Sequence, residues 1–183
     1  MKTNTIIYGL IAGLFVTVIT LIGMAKLYDT DREGGIGSML FGYTTMLVAF
    51  SLIFVSIKNY RERNGGIISF GKAFRIGLSI SLIASTMYVL GWMVEYYAFF
   101  PDFYDKCEIH QVAKLKAAGA SLTLIQAKAQ EYEQLKQMAQ KPPIHALMTY
   151  VEILPVGLLV SLIAALILRR KSGGLEKVSI ANP

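Results

Sequence analysis

Apolar residues fall in four long runs, roughly Thr5–Ala25, Ser38–Ile57, Ala73–Phe100 and Ile144–Leu168. Each reaches about the 20 apolar residues that cross a hydrocarbon core. Lipid offers the backbone no hydrogen bonds, so each run is predicted to be helical. A soluble bundle is the competing reading. Helices of this length that are apolar all round belong in lipid rather than around a soluble core.

The polar segment 101–143 carries a different pattern. Asp102 to Ala118 reads as a helix bearing Phe103, Ile109, Val112 and Leu115. Gly119 suits the positive-φ residue that ends a helix, and Ser121 suits the cap of the next. Leu122, Ile125, Ala129, Tyr132, Leu135 and Met138 follow at spacings of three and four, a helical stripe. Pro142-Pro143 ends it. The predicted fold is therefore all-α: a bundle of four transmembrane helices with an external helix-turn-helix arm between the third and fourth. One membrane domain spans residues 1–171, and 172–183 is expected to be a disordered cytoplasmic tail.

Of the 183 residues, 54% are hydrophobic, which leaves no room for a separate soluble domain. The net charge of +6 would suit nucleic acid if it were spread over a soluble face. Here the cations flank the apolar runs instead: Lys2, then Lys58, Arg61, Arg63, Lys72 and Arg75, then Arg169-Arg170-Lys171. That pattern points to a lipid bilayer and marks the cytoplasmic side. All three clusters share that side if both termini are inside. The connection with Asp29, Asp31 and Glu33, and the 101–143 arm, are then outside. Gly23-Met24-Ala25 resembles a signal cleavage site, but the run before it is longer than a signal core, so the first helix is expected to stay.

Small residues recur every fourth position: Gly9 and Gly13; Ala73, Gly77, Ser81 and Ser85; Gly157, Ser161 and Ala165. Such ridges let helices approach closely in lipid, where packing drives association. The expectation is a compact bundle, and the same ridges can also serve a homo-oligomer. Glu95 and Glu152 lie in the outer parts of the third and fourth runs. Intramembrane carboxylates are expensive and usually face the bundle or water. Glu95 shares a face with Gly77 and should point inward, while the direction of Glu152 is open. If they meet, they can share a proton or bind a cation. If not, each is an interfacial residue bonded to neighbours such as Trp92 and Tyr96.

No catalytic pattern emerges. His110 and His145 are the only histidines, and there is no H-E-x-x-H zinc site, nucleophile elbow or P-loop. Cys107-x-x-His110 supplies half of a zinc site at most. No cofactor and no metal are expected. Lone Cys107 has no internal disulfide partner.

Three blocks carry a family resemblance: Ile68-Ser-Phe-Gly-Lys-Ala-Phe74, Phe100-Pro-Asp-Phe-Tyr-Asp-Lys106, and Glu152-Ile-Leu-Pro-Val-Gly-Leu-Leu159 with the basic Arg169-Arg170-Lys171 end. With the order of spans, the chain to about Lys171 resembles an uncharacterised family of small bacterial membrane proteins, domain of unknown function DUF4199. The resemblance implies the bacterial inner membrane and supplies no catalytic residues. Two function classes stay open. The first is a non-enzymatic scaffold whose arm binds a membrane or external protein partner through Leu122, Ile125, Tyr132, Leu135 and Met138. The second is a small oligomeric carrier or channel subunit that moves protons or cations by way of Glu95 and Glu152.

Overall fold

The computed structural model describes residues 2–29 and 36–170. The expected tail at 172–183, and Asp31 and Glu33 of the first connection, lie outside the described residues. Among the described residues, six α-helices run in chain order: α1 (Lys2–Asp29), α2 (Ile36–Arg63), α3 (Phe70–Val94), α4 (Phe103–Ala117), α5 (Leu122–Ala139) and α6 (Pro142–Leu168). A π-helical turn, Glu95–Phe99, prolongs α3. Four stretches among the described residues are long and apolar enough to span a membrane: Asn4–Lys26, Leu40–Arg63, Phe70–Phe99 and Pro142–Leu168.

Boundaries follow local chemistry. The third helix starts at Phe70, three residues before the expected Ala73, because the Ser69 side chain accepts the Lys72 amide. The basic residues Lys58, Arg61 and Arg63, which follow the second apolar run, sit in the last turns of α2. A helix C-terminus favours cations there. The reversal itself falls on Gly65 and Gly66, whose φ values of 67° and 79° suit only glycine readily. Gly119 has φ 69° between α4 and α5, and Ser121 caps α5 by accepting from the Leu124 amide at 3.3 Å. The prolines expected to end α5 instead open α6 from its first turn, where a missing N–H costs nothing.

The spans pack as a bundle in which α3 is central, touching α1, α2 and α6. Phe50, Ile53 and Ile57 of α2 and Ile80 of α3 are fully buried between the helices. Leucines and isoleucines such as Leu14, Leu90, Leu159 and Ile167 cover the outside. In lipid that surface is solvated, so shape rather than hydrophobicity holds the helices together.

The small-residue ridges provide the shape. A Cβ on Gly77 would lie 2.8 Å from the Ser161 Cβ, and one on Gly157 would lie 2.8 Å from the Ser81 Cβ. Ser81 and Ser161 meet at 3.0 Å. Ser161 donates its single proton to the Gly157 carbonyl, so Ser81 is the donor between the two hydroxyls. Gly9 and Gly13 of α1 lie against Ile83, Ala84 and Met87 of α3. Ala73, Ser85 and Ala165 are fully buried. Gly91, which no four-residue ridge contains, admits Thr17 of α1.

One end of the bundle gathers the basic clusters. Ile68 and Arg170 exchange backbone hydrogen bonds at 3.1 and 2.9 Å. Arg61 donates to the Leu168 carbonyl at 3.4 Å, and Asn59 donates to the Tyr8 hydroxyl at 2.7 Å. Lys72 stands over the Tyr60 ring. These bonds draw the early part of α1, the end of α2, the start of α3 and the end of α6 to one level.

Candidate functional site

At the opposite end, α3 changes pitch. The Phe100 amide bonds the Glu95 carbonyl at 2.9 Å, five residues back. Such π-turns inside α-helices are frequent at functional sites. This one buries both Glu95 and Tyr96, which are 3% and 4% exposed. Glu95 thus points inward, as its shared face with Gly77 predicts. Its Oε2 is buried without a hydrogen-bond partner.

Glu152 takes a different position. It is exposed on the surface of α6. No hydrogen bond joins it to Glu95 among the described residues. Tyr88, buried in the bundle, lies within electrostatic reach of both carboxylates. Glu152 also acts on Tyr104 at the base of α4. Burial, then Tyr96, then Glu152 push the Tyr104 phenol up to about 12. The two carboxylates therefore border one region around Tyr88 without forming a bonded dyad.

An aromatic cluster covers this region. Trp92, Tyr96 and Tyr97 come from α3 and its π-turn, Phe103 and Tyr104 from α4. Their rings meet edge to face, Trp92 to Phe103 at 5.2 Å and Tyr96 to Tyr104 at 5.6 Å. His145, 1% exposed, sits among them and accepts from Trp92. The sequence offered His145 only as one of two histidines. Its signal was weak: a polar residue just inside the first turn of an apolar helix, opposite an aromatic-rich helix end.

The helices α4 and α5 pack against each other. Lys136 bonds Asp105 across them at 2.5 Å, which raises the lysine pKa through that hydrogen bond first. Both partners are partly exposed, so solvent screens the pair and it adds little to stability. Of the predicted stripe, Ile125, Ala129, Tyr132 and Leu135 are half-buried, whereas Leu122 is 76% and Met138 41% exposed. A helix turns about 100° per residue, so each step of three lags about 60° and the stripe winds off its seam at both ends. Met138 and Ile144 line an open cleft of 370 Å³ with Gln134, Gln137, Gln140 and Lys141.

Cys107 is half-buried in α4, and burial pushes its thiol up to about 11. The thiolate is the reactive form, so alkylation at pH 8 is expected about two orders of magnitude slower than for an ordinary thiol. The rate should rise about tenfold per pH unit until near that value, as a stopped-flow or mass-spectrometric time course can measure. A rate that levels off already near about pH 8.5 would show the thiol to be unperturbed. Among the described residues, no group of three or more His, Cys, Asp or Glu could hold a metal ion.

A family model described as protein of unknown function (DUF4199) matches residues 7–170. The chain belongs to that family. The match takes in the first span from Ile7, the other three spans, the helical pair α4–α5 and the three sequence blocks up to Arg170. Comparisons with curated proteins and with solved structures give no match.

Proposed function

We propose that this chain is a non-enzymatic protein of the bacterial inner membrane whose helical pair α4–α5 stands outside and binds or stabilises a protein partner. One observation carries the reading. The pair already has an internal seam, yet Leu122 and Leu124 at its turn remain 76% and 49% exposed, with Ile109 of α4 at 66%. Apolar residues held out on a polar hairpin favour a protein contact.

The proposed orientation, with that end cytoplasmic, is supported by the gathering of Lys58, Arg61, Arg63, Lys72, Arg75, Arg169 and Arg170 at one end of the bundle, since Lys and Arg favour the cytoplasmic side. In a Cys107→Ser background, a cysteine at Asn64 should resist an impermeant thiol reagent in intact cells, and one at Gln130 should react. Labelling at Asn64 alone would reverse the orientation. The partner itself is tested by affinity purification in mild detergent. A stoichiometric partner should be recovered with the wild type and lost with Leu122→Ser/Leu124→Ser at unchanged membrane abundance. Recovery of the chain alone from both would remove the scaffold reading.

A second reading has its own observation. Glu95 is a buried carboxyl with an unpartnered oxygen, set on a π-turn in the outer part of a span. Intramembrane acids of this kind mark proton or ion pathways. A small carrier or channel subunit would use Glu95 with Glu152, and four spans would require several copies. Proteoliposomes decide this reading: proton or cation flux that Glu95→Gln abolishes supports it, and no flux from the wild type removes it.

A further inference from the structure

His145 is used by neither reading, and its hydrogen bonding is unusual. An indole N–H can only donate, so Nε2 must offer a lone pair to Trp92 at 3.0 Å. The neutral imidazole then carries its proton on Nδ1, which is buried without a partner. Four rings surround it, with centroids at 4.6 Å (Tyr96), 5.7 Å (Tyr97), 6.3 Å (Tyr104) and 6.4 Å (Trp92). These separations are close to the range in which aromatic faces attract a cation.

The cluster joins separate parts of the chain. Trp92, Tyr96 and Tyr97 belong to the end of the third span, Tyr104 to α4, and His145 to α6. Tyr97 also donates to the Ala139 carbonyl at the end of α5, at 2.7 Å. The base of the helical pair is thus fastened to two spans through the surroundings of one imidazole.

We propose that His145 is a proton-operated latch between the membrane bundle and the helical pair. The neutral ring accepts from Trp92 and holds the base of the pair closed. A proton taken up at Nε2 turns the acceptor into a donor. Two N–H groups then face each other, and the bond to Trp92 is lost. The aromatic surround can still accept the imidazolium in a shifted position, so opening need not unfold the bundle. The other titratable groups facing His145 are the phenols of Tyr96 and Tyr97 from the π-turn and Tyr104 from α4. Asp105 and Lys136 act on Tyr96, and Glu152 acts on Tyr104, one step further out. Phenols stay neutral where imidazole titrates. Glu95, buried in the same π-turn as Tyr96, is the other group there that can change charge, so the His145→Gln control assigns the transition.

Trp92 is the only tryptophan and Cys107 the only cysteine, so the chain carries a probe on each side of the latch. The full chain in nanodiscs is titrated from about pH 8 to about pH 5, the range in which histidine ordinarily changes charge. Wild-type Trp92 emission should fall reversibly along a one-proton curve, because an adjacent imidazolium quenches indole. His145→Gln keeps an acceptor for the indole N–H but cannot titrate, and its emission should stay flat. Cys107 is labelled in parallel with a dithiodipyridine, which reacts in acid as well. Relative to His145→Gln at the same pH, its rate should rise roughly three- to tenfold across the same transition, the range one lost hydrogen bond supplies. Trp92→Phe should show the faster labelling already at pH 8. A wild-type emission independent of pH, or the same transition in His145→Gln, would overturn the latch.

Discussion

Gly157→Leu is expected to abolish assembly of the bundle, while Ser161→Ala should be tolerated. A Cβ at position 157 already meets the Ser81 Cβ and Oγ at 2.8 Å and the Phe50 ring at 2.9 Å. Phe50 is fully buried and packed into the core, so it cannot swing aside. Even Gly157→Ala should cost about 1–3 kcal/mol, the usual range for overpacking. A leucine adds three further carbons and would force α3 and α6 apart along the whole ridge. By contrast, interhelical hydrogen bonds in membranes average about 0.6 kcal/mol. Losing the Ser81–Ser161 bond should therefore shift stability only slightly. Close approach wins over polar bonding at this crossing. Gly42 supplies the control, since a Cβ there meets nothing within 4 Å. Gly42→Ala should stabilise by about 0.5–1 kcal/mol through reduced backbone entropy. Thermal unfolding in detergent, read by size-exclusion chromatography, ranks the four variants. Equal losses for Gly157→Ala and Ser161→Ala would mean that the hydrogen bond matters as much as the shape.

The reach of the sequence differs between features for physical reasons. Spans are legible because lipid imposes both length and uniform apolarity on every residue of a run. The Gly77/Ser81 and Gly157/Ser161 ridges are legible because a four-residue repeat keeps one face. Gly91 was not, because a single glycine against Thr17 makes no repeat. The inward direction of Glu95 followed from its helical phase relative to Gly77. Glu152 had no such reference, and only the packing of α6 against α2 and α3 leaves it exposed. The α5 stripe was legible as a stripe but not as a seam that it partly leaves, since the partner helix sets where burial stops. The π-turn at Glu95–Phe99 has no sequence signature, so the shared burial of Glu95 and Tyr96, and the contact of Tyr96 with His145, had to come from the structure.

Replacing Glu95 by methionine should raise stability by about 1–3 kcal/mol, the cost usually attached to a buried polar group left unsatisfied. The side chain is 3% exposed, and its Oε2 has no partner. Whichever protonation state it holds, burial removes water from a group that the surrounding side chains do not replace. Methionine keeps an unbranched chain of similar size and adapts to an irregular space. Glu95→Gln separates charge from polarity: it keeps the shape, still leaves polar atoms unmet, and should gain less than methionine. Thermal unfolding in nanodiscs at one fixed pH gives the order methionine above glutamine, and glutamine at or above wild type. That result would mark Glu95 as a residue that burdens the fold, the signature of a group held for a task such as proton or ion transfer. The reverse order, with methionine several degrees below wild type, would show that the carboxyl is satisfied in the membrane by water, a proton-sharing neighbour or a bound cation. Adding sodium or potassium to the wild type then distinguishes these, because only a bound cation stabilises the protein in a concentration-dependent way.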